Sequence, residues 1–196
     1  MADRRVAATV ILVTIAALVM GGSVYYRWKF PYGYSHCCLV ALDLALNEYA
    51  ADRNGWFPAG ESSPEASLCL LYRVKKAGDA YGYVPDPELL RGMTVPTEKV
   101  RAILESGRLL GPDTCGWHYV EGLTYKDDRI AILWPKVALG HNGGRHRDGG
   151  RQVLFANCSA DWVTGDQWPA FLEEQAELLR QRLKDRSPQQ PTRTGR

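Results

Sequence analysis

Residues 6–24 read VAATVILVTIAALVMGGSV and carry no charge. In a helix rising 1.5 Å per residue, about 20 such residues cross the roughly 30 Å hydrocarbon layer of a bilayer. Asp3, Arg4 and Arg5 precede the run, and Tyr25, Tyr26, Arg27, Trp28, Lys29, Phe30, Tyr32 and Tyr34 follow it. Tyr and Trp favour the headgroup layer, each having an apolar ring and a polar tip, and Arg27 and Lys29 can reach phosphates there. This predicts an anchor over residues 6–26 with the bilayer as its partner. The rival is a cleaved signal peptide with Arg4 and Arg5 as its n-region and Gly21 and Ser23 as small residues at the cut. A buried core helix is the third possibility. Basic residues on both flanks discriminate orientation weakly. The α-amino group tips the expectation to residues 1–5 in the cytoplasm, a single pass through the inner membrane, and the remainder outside.

The chain has 196 residues, 45% of them hydrophobic, and a formal net charge of +2. Without anchor and tail, about 150 residues remain, enough for one domain with its own core. The charge is too small to imply a polyanion, so no nucleic-acid partner is expected. Of the five cysteines, Cys37 and Cys38 are adjacent and poorly placed to bridge each other. Outside the cytoplasm, the odd count suggests one or two disulfides and a leftover thiol, with the pairing among Cys37, Cys38, Cys69, Cys115 and Cys158 undetermined. The alternative is that each is a small buried apolar residue.

Pro31 and Gly33 interrupt the first helix. A second is predicted over 35–52, burying Leu39, Leu42, Ala45, Leu46 and Tyr49, with Asn54-Gly55 as its stop. Ser63-Pro64-Glu65 reads as a capped start for a helix reaching toward Gly78. A helical turn at 85–90 and a helix at 97–106 follow. After Cys115, runs rich in Val, Ile, Tyr, Trp and Phe at 117–120, 129–134, 152–156 and 160–164 predict strands, the last two as a hairpin. Thr164 is expected to cap a final helix to about Lys184 with Trp168, Phe171, Leu172, Leu178, Leu179 and Leu183 inward. Its basic end, with Arg180, Arg182, Lys184 and Arg186 among acids, reads as a solvated face. Residues 187–196, SPQQPTRTGR, have the composition of a disordered tail. Segregated helices and hairpins give an α+β class, with one domain over residues 35–184.

Several stretches resemble the bacterial pilin-like and pseudopilin-like family with a His-x9-Asp-Gly ending. Residues 38–58, CLVALDLALNEYAADRNGWFP, resemble its post-membrane helix and closing turn. Residues 115–133 resemble its first hairpin. His146, Gly149-Gly150, residues 153–156 (VLFA) and Asp161-Trp162-Val163 resemble its ending. The resemblance implies a non-catalytic structural or scaffolding role among envelope or secretion-type subunits. The chain departs from the pattern in three places. No Gly precedes Val6, and the apolar run has no Glu. Asn157-Cys158 replaces Asp-Gly, at a spacing of His146-x10-Asn157. The first two imply lost prepilin processing. The third implies a longer or bulged turn over 157–159, because Cys resists positive φ.

No catalytic, cofactor-binding or metal-ligating set is expected. The loop 140–151, GHNGGRHRDGGR, lacks the Lys-Ser/Thr of a phosphate loop and reads as a flexible connection. The alternative function is a secreted or anchored metal-dependent hydrolase using His141, His146 and Cys158, with Asp148 nearby. Asp127-Asp128 reads as a turn, or with Asp148 as weak calcium ligands. Cys115 and His118 are the one Cys-His pair close in sequence. His36 suggests no role.

Overall fold

The computed structural model describes residues 2–34, 38–75, 82–140 and 142–186. Helix α1 (Ala2–Lys29) is followed by α2 (Cys38–Ala51), α3 (Pro64–Leu68), α4 (Leu70–Arg73), a 3₁₀ turn (Pro87–Arg91) and α5 (Thr97–Glu105). Strands β1 (Trp117–Tyr119), β2 (Ala131–Pro135), β3 (Arg151–Phe155) and β4 (Ala160–Val163) come next, then α6 (Trp168–Arg186). The strands form one antiparallel sheet in the order β1-β2-β3-β4. This is the α+β layout that the sequence predicts. The expected tail lies outside the described residues.

The apolar stretch Val6–Lys29 forms one helix, and none of it is buried against the protein. A core helix would be covered, so that possibility fails. Twenty-four residues of helix span about 36 Å.

Helix α2 buries Leu39, Leu42, Ala45, Leu46 and Tyr49, as its spacing predicts. It ends where Asn54 and Gly55 take φ of 55° and 85°, and the Gly55 N–H donates to the Ala50 carbonyl. Ser63 caps α3 through its hydroxyl, 3.1 Å from the Ala66 nitrogen. The helix expected to reach Gly78 instead breaks at Cys69 and stops at Arg73. Val74 is extended, and Lys75 bridges to Gly82, so the chain leaves helical pairing for strand-like pairing.

The sheet has two buried faces, and a bulge in β2 assigns its residues to them. Ala131 lies opposite Phe155, but Leu133 lies opposite Leu154, so β2 advances two residues while β3 advances one. Ile132 and Leu133 therefore both enter the main core with α2, α4, Trp117, Tyr119 and Leu154. Ala131 and Trp134 turn to the opposite face and meet Val153 and Val163 under Trp168 and Phe171 of α6.

Helix α6 is held through polar groups set in its apolar stripe. Gln175 is 5% exposed, and its Oε1 accepts from the Ala131 backbone N–H at 2.8 Å. Arg182 donates to Asp127, with one bond at 2.8 Å, and to the Gly122 carbonyl. The inward positions are Trp168, Phe171, Gln175, Leu178, Leu179 and Arg182, close to the i, i+3, i+4 rhythm. Leu172 and Leu183, expected inside, are 40% and 63% exposed because Gln175 and Arg182 occupy the buried line. Arg182 thus leaves the solvated face on which the sequence places it. Thr164 is not the cap either. The helix begins at Trp168, and the Gln167 carbonyl accepts its first turn from the Phe171 N–H at 3.0 Å.

Burial raises the Asp127 pKa, but bonds from Arg182 and Thr124 outweigh it and hold the carboxyl below its ordinary value. The stabilisation is therefore full above the unfolded carboxylate value of about 4 and fades as pH falls through the lower folded value. Removing one partner of such a pair costs about 3–5 kcal/mol. Arg182→Ala should lose about that much in urea unfolding at pH 7, and the loss should shrink as pH falls below the unfolded value of about 4.

Candidate functional site

The end of α1 meets the glycine-rich loop of residues 140–150. The Arg145 N–H donates to the Lys29 carbonyl at 2.7 Å, and Lys29 Nζ donates to the Arg145 carbonyl at 2.6 Å. Two glycines permit this approach. Gly143 has φ of +79°, and a Cβ there would lie 2.9 Å from the Gly33 carbonyl oxygen and 2.6 Å from the Met93 side chain. A Cβ on Gly144 would press on the Phe30 ring at 3.1 Å. Beside this contact, Tyr26, Phe30 and Tyr34 pack in series, the first pair tilted and the second edge to face, with ring centroids 5.2 and 5.3 Å apart. Tyr25, Tyr26, Trp28, Tyr32 and Tyr34 are all exposed. The flexible connection expected here is thus a packed clamp on the end of α1. Arg145 and Arg147 project from it into solvent.

Beyond the clamp, Asp148 organises the start of the β3–β4 hairpin. Its carboxylate accepts from Trp162 Nε1 at 2.9 Å and from the Gly150 N–H at 3.0 Å, and these bonds hold its pKa below the ordinary value. His146 packs against the Trp162 ring, centroids 4.2 Å apart. His141 lies outside the described residues.

Cys158 is at the other end of that hairpin. The Cys158 N–H donates to the Phe155 carbonyl, the Phe155 N–H donates to the Ser159 carbonyl, and Cys158 takes φ of 66°. This is a three-residue turn over 156–158, bulged as expected but one residue earlier than 157–159, and Cys158 takes the left-handed region that it was expected to resist. The Cys158 thiol donates to Asn47 Oδ1 of α2 at 2.6 Å. About 17 Å of strand separates it from the His146 end. The structure does not bring His146 and Cys158 into one ligand set, and no cluster of three metal-binding side chains occurs among the described residues. Asp127 is committed to Arg182 and Thr124, so it is not free for calcium.

The three described thiols are free, which corrects the expected disulfide for Cys69, Cys115 and Cys158. Cys69 and Cys115 donate to the carbonyls of Glu65 and Leu90 at 3.3 Å, and burial pushes their pKa up to about 11 and about 12. Cys115 therefore offers His118 no thiolate near neutral pH. Burial and the Asp43 charge also raise the Cys158 pKa. Cys37 is outside the described residues.

The sheet face under α6 holds a cavity that the sequence does not reveal. It measures about 250 Å³ and is lined by His118, Trp134, Lys136, Arg151, Trp168 and Leu172. His118 on β1 stands opposite Trp134 on β2 and stacks on it at 4.5 Å. Arg151, at the start of β3, lays its guanidinium 4.2 Å from the centre of the Trp168 ring. Lys136 Nζ is 2.7 Å from Glu65. Burial and the Lys136 charge lower the His118 pKa against a weaker pull from Glu65, so the imidazole is neutral at pH 7. The two Trp read from sequence as core, and Arg151 as loop. Only the strand register places them together.

Comparisons with protein-family models, with curated proteins and with solved structures find no match to this chain.

Two outcomes follow from this geometry. Gly143→Ala should lower stability by about 1–2 kcal/mol, from positive φ and the Gly33 contact, as read by thermal unfolding in detergent. In a Cys37→Ser/Cys38→Ser background, a thiol reagent at pH 8 should reach Cys158 slowly in the native protein, and Cys69 and Cys115 only after denaturation.

Proposed function

We propose that this chain is a membrane-anchored, non-catalytic scaffold whose α+β domain stands outside the cytoplasm as a pilin-like subunit of an envelope assembly. One observation carries the reading. An apolar helix of bilayer length, its 18-residue apolar window uncovered by protein, ends against a loop of the domain that holds it by the two Lys29–Arg145 hydrogen bonds. Lipid is the cover that such a helix requires. The exposed rings of Tyr25, Tyr26, Trp28, Tyr32 and Tyr34 sit where a headgroup layer would lie, with Arg145 and Arg147 facing phosphates. The order of anchor, packed helix, antiparallel sheet and His146-to-Asn157 ending supports the pilin-like part. Without the acid and processing glycine of that family, the anchor would stay uncleaved and meet partners through the domain.

The test is fractionation of the full chain in a bacterial host. The protein should resist alkaline carbonate extraction, and mass spectrometry should find residues 6–24 retained. Protease added to spheroplasts should remove the C-terminal tail, and cross-linking should capture envelope proteins. An Arg at the centre of a span costs about 2.5–3.5 kcal/mol, so Ile11→Arg with Ile15→Arg should release the protein to the soluble fraction. A soluble wild-type chain would sink the anchor. Bound zinc with chelator-sensitive hydrolysis would sink the scaffold.

A further inference from the structure

The cavity beneath the first turn of α6 holds a cation without an acid. Among the described residues, the partly buried Arg91, Lys136 and Arg182 each have a carboxylate oxygen within 3.4 Å, from Glu88, Glu65 and Asp127, and the partly buried Lys29 donates instead to the Arg145 carbonyl. Arg151 has none. Its Nε is buried and makes no hydrogen bond, and its sole described partner is the face of Trp168. The guanidinium is only partly buried and its terminal nitrogens stay open to solvent; the ring face adds about 0.5–2 kcal/mol and leaves the buried Nε without an acceptor. Consistent with that, desolvation lowers the Arg151 pKa. The space beside it is open to a ligand and walled by Trp134, Trp168 and Leu172, with Lys136 and neutral His118 at its edge.

We propose that this cavity binds a small organic carboxylate, its anionic end forked onto Arg151 and its apolar body against Trp134, Trp168 and Leu172. The planar five-donor guanidinium matches a carboxylate in two parallel bonds. Lys136 is neutralised by Glu65 and adds little net charge, so Arg151 decides the anion. The volume of about 250 Å³ lies below the roughly 300–1,000 Å³ of drug-sized sites, so the ligand is small and its far end stays in water. This goes beyond the scaffold reading and stands independently of it.

The experiment is calorimetric titration of the full chain in nanodiscs at pH 7 with benzoate, with benzamide as the neutral isostere and phenyl phosphate as the alternative anion. Benzoate should saturate, and benzamide should bind at least tenfold more weakly. Arg151→Gln should cost tenfold or more in benzoate affinity, and Arg151→Lys should cost less because the charge remains. Leu172→Trp fills the cavity mouth from an exposed position, so it should abolish binding with the melting temperature unchanged; it keeps the test valid if the Arg151 variants unfold. The proposal is overturned if benzoate gives no saturable heat or binds no better than benzamide. Unchanged affinity in Arg151→Gln or Leu172→Trp overturns it equally. Tighter binding of phenyl phosphate than of benzoate overturns the carboxylate assignment.

Discussion

The extra residue in β2 is the constraint on which the domain turns. A regular strand sends alternate side chains to opposite faces, so Ile132 and Leu133 could not both enter one core. The bulge lets them, and it delivers Trp134 to the other face. It also frees the Ala131 N–H from the ladder in a buried place. Left unmade, that donor would cost about 1–3 kcal/mol. Gln175 supplies the missing acceptor from α6. One polar side chain thus repairs the sheet and fixes the helix across it. Arg182, a further two turns along, fixes the same helix to the β1–β2 connection through Asp127. With α6 held at both points, Trp168 sits over Arg151, and the second face becomes a small core with a cavity at its edge.

Much of the layout is readable from the residues alone, because the signals are local. The stripe on α2, the Ser63 cap, the Asn54-Gly55 stop and the four strand runs depend on spacing or on backbone preference within a few residues. The details that build the site depend on partners far away in the chain. In AILWP every residue is buried, so alternation carries no information and the bulge leaves no trace. Gln175 and Arg182 look like solvent residues on a charged helix until Ala131 and Asp127, more than forty residues earlier, are placed beside them. The same holds for Arg151, whose meaning lies in Trp168 and in the acid it lacks. Cysteine count misled for a related reason. Cys69 and Cys115 are spent as buried donors to nearby carbonyls, and spacing alone does not separate that use from a bridge.

The glycine-rich segment shows the same dependence on distant chain. Glycine clusters occur in mobile loops, but they also occur where one backbone must lie against another. Residues 143–144 are of the second kind, since a methyl group at either would press on Gly33, Met93 or Phe30. The neighbour that gives these glycines their purpose is more than a hundred residues away, at the end of α1.

The hairpin of β3 and β4 is therefore held at both ends by helices. At one end the 140–150 loop is bonded to Lys29 of α1, and Asp148 ties that loop to Trp162. At the other, Cys158 reaches Asn47 of α2. Both attachments are hydrogen bonds made outside the main apolar core. What they determine is direction. Two directional attachments, separated by the length of a strand, restrict rotation of the sheet about α1 more than one would. The cavity at Arg151 begins one residue after Gly150, at the end of the sheet nearer α1. Its opening thus keeps a set angle to α1.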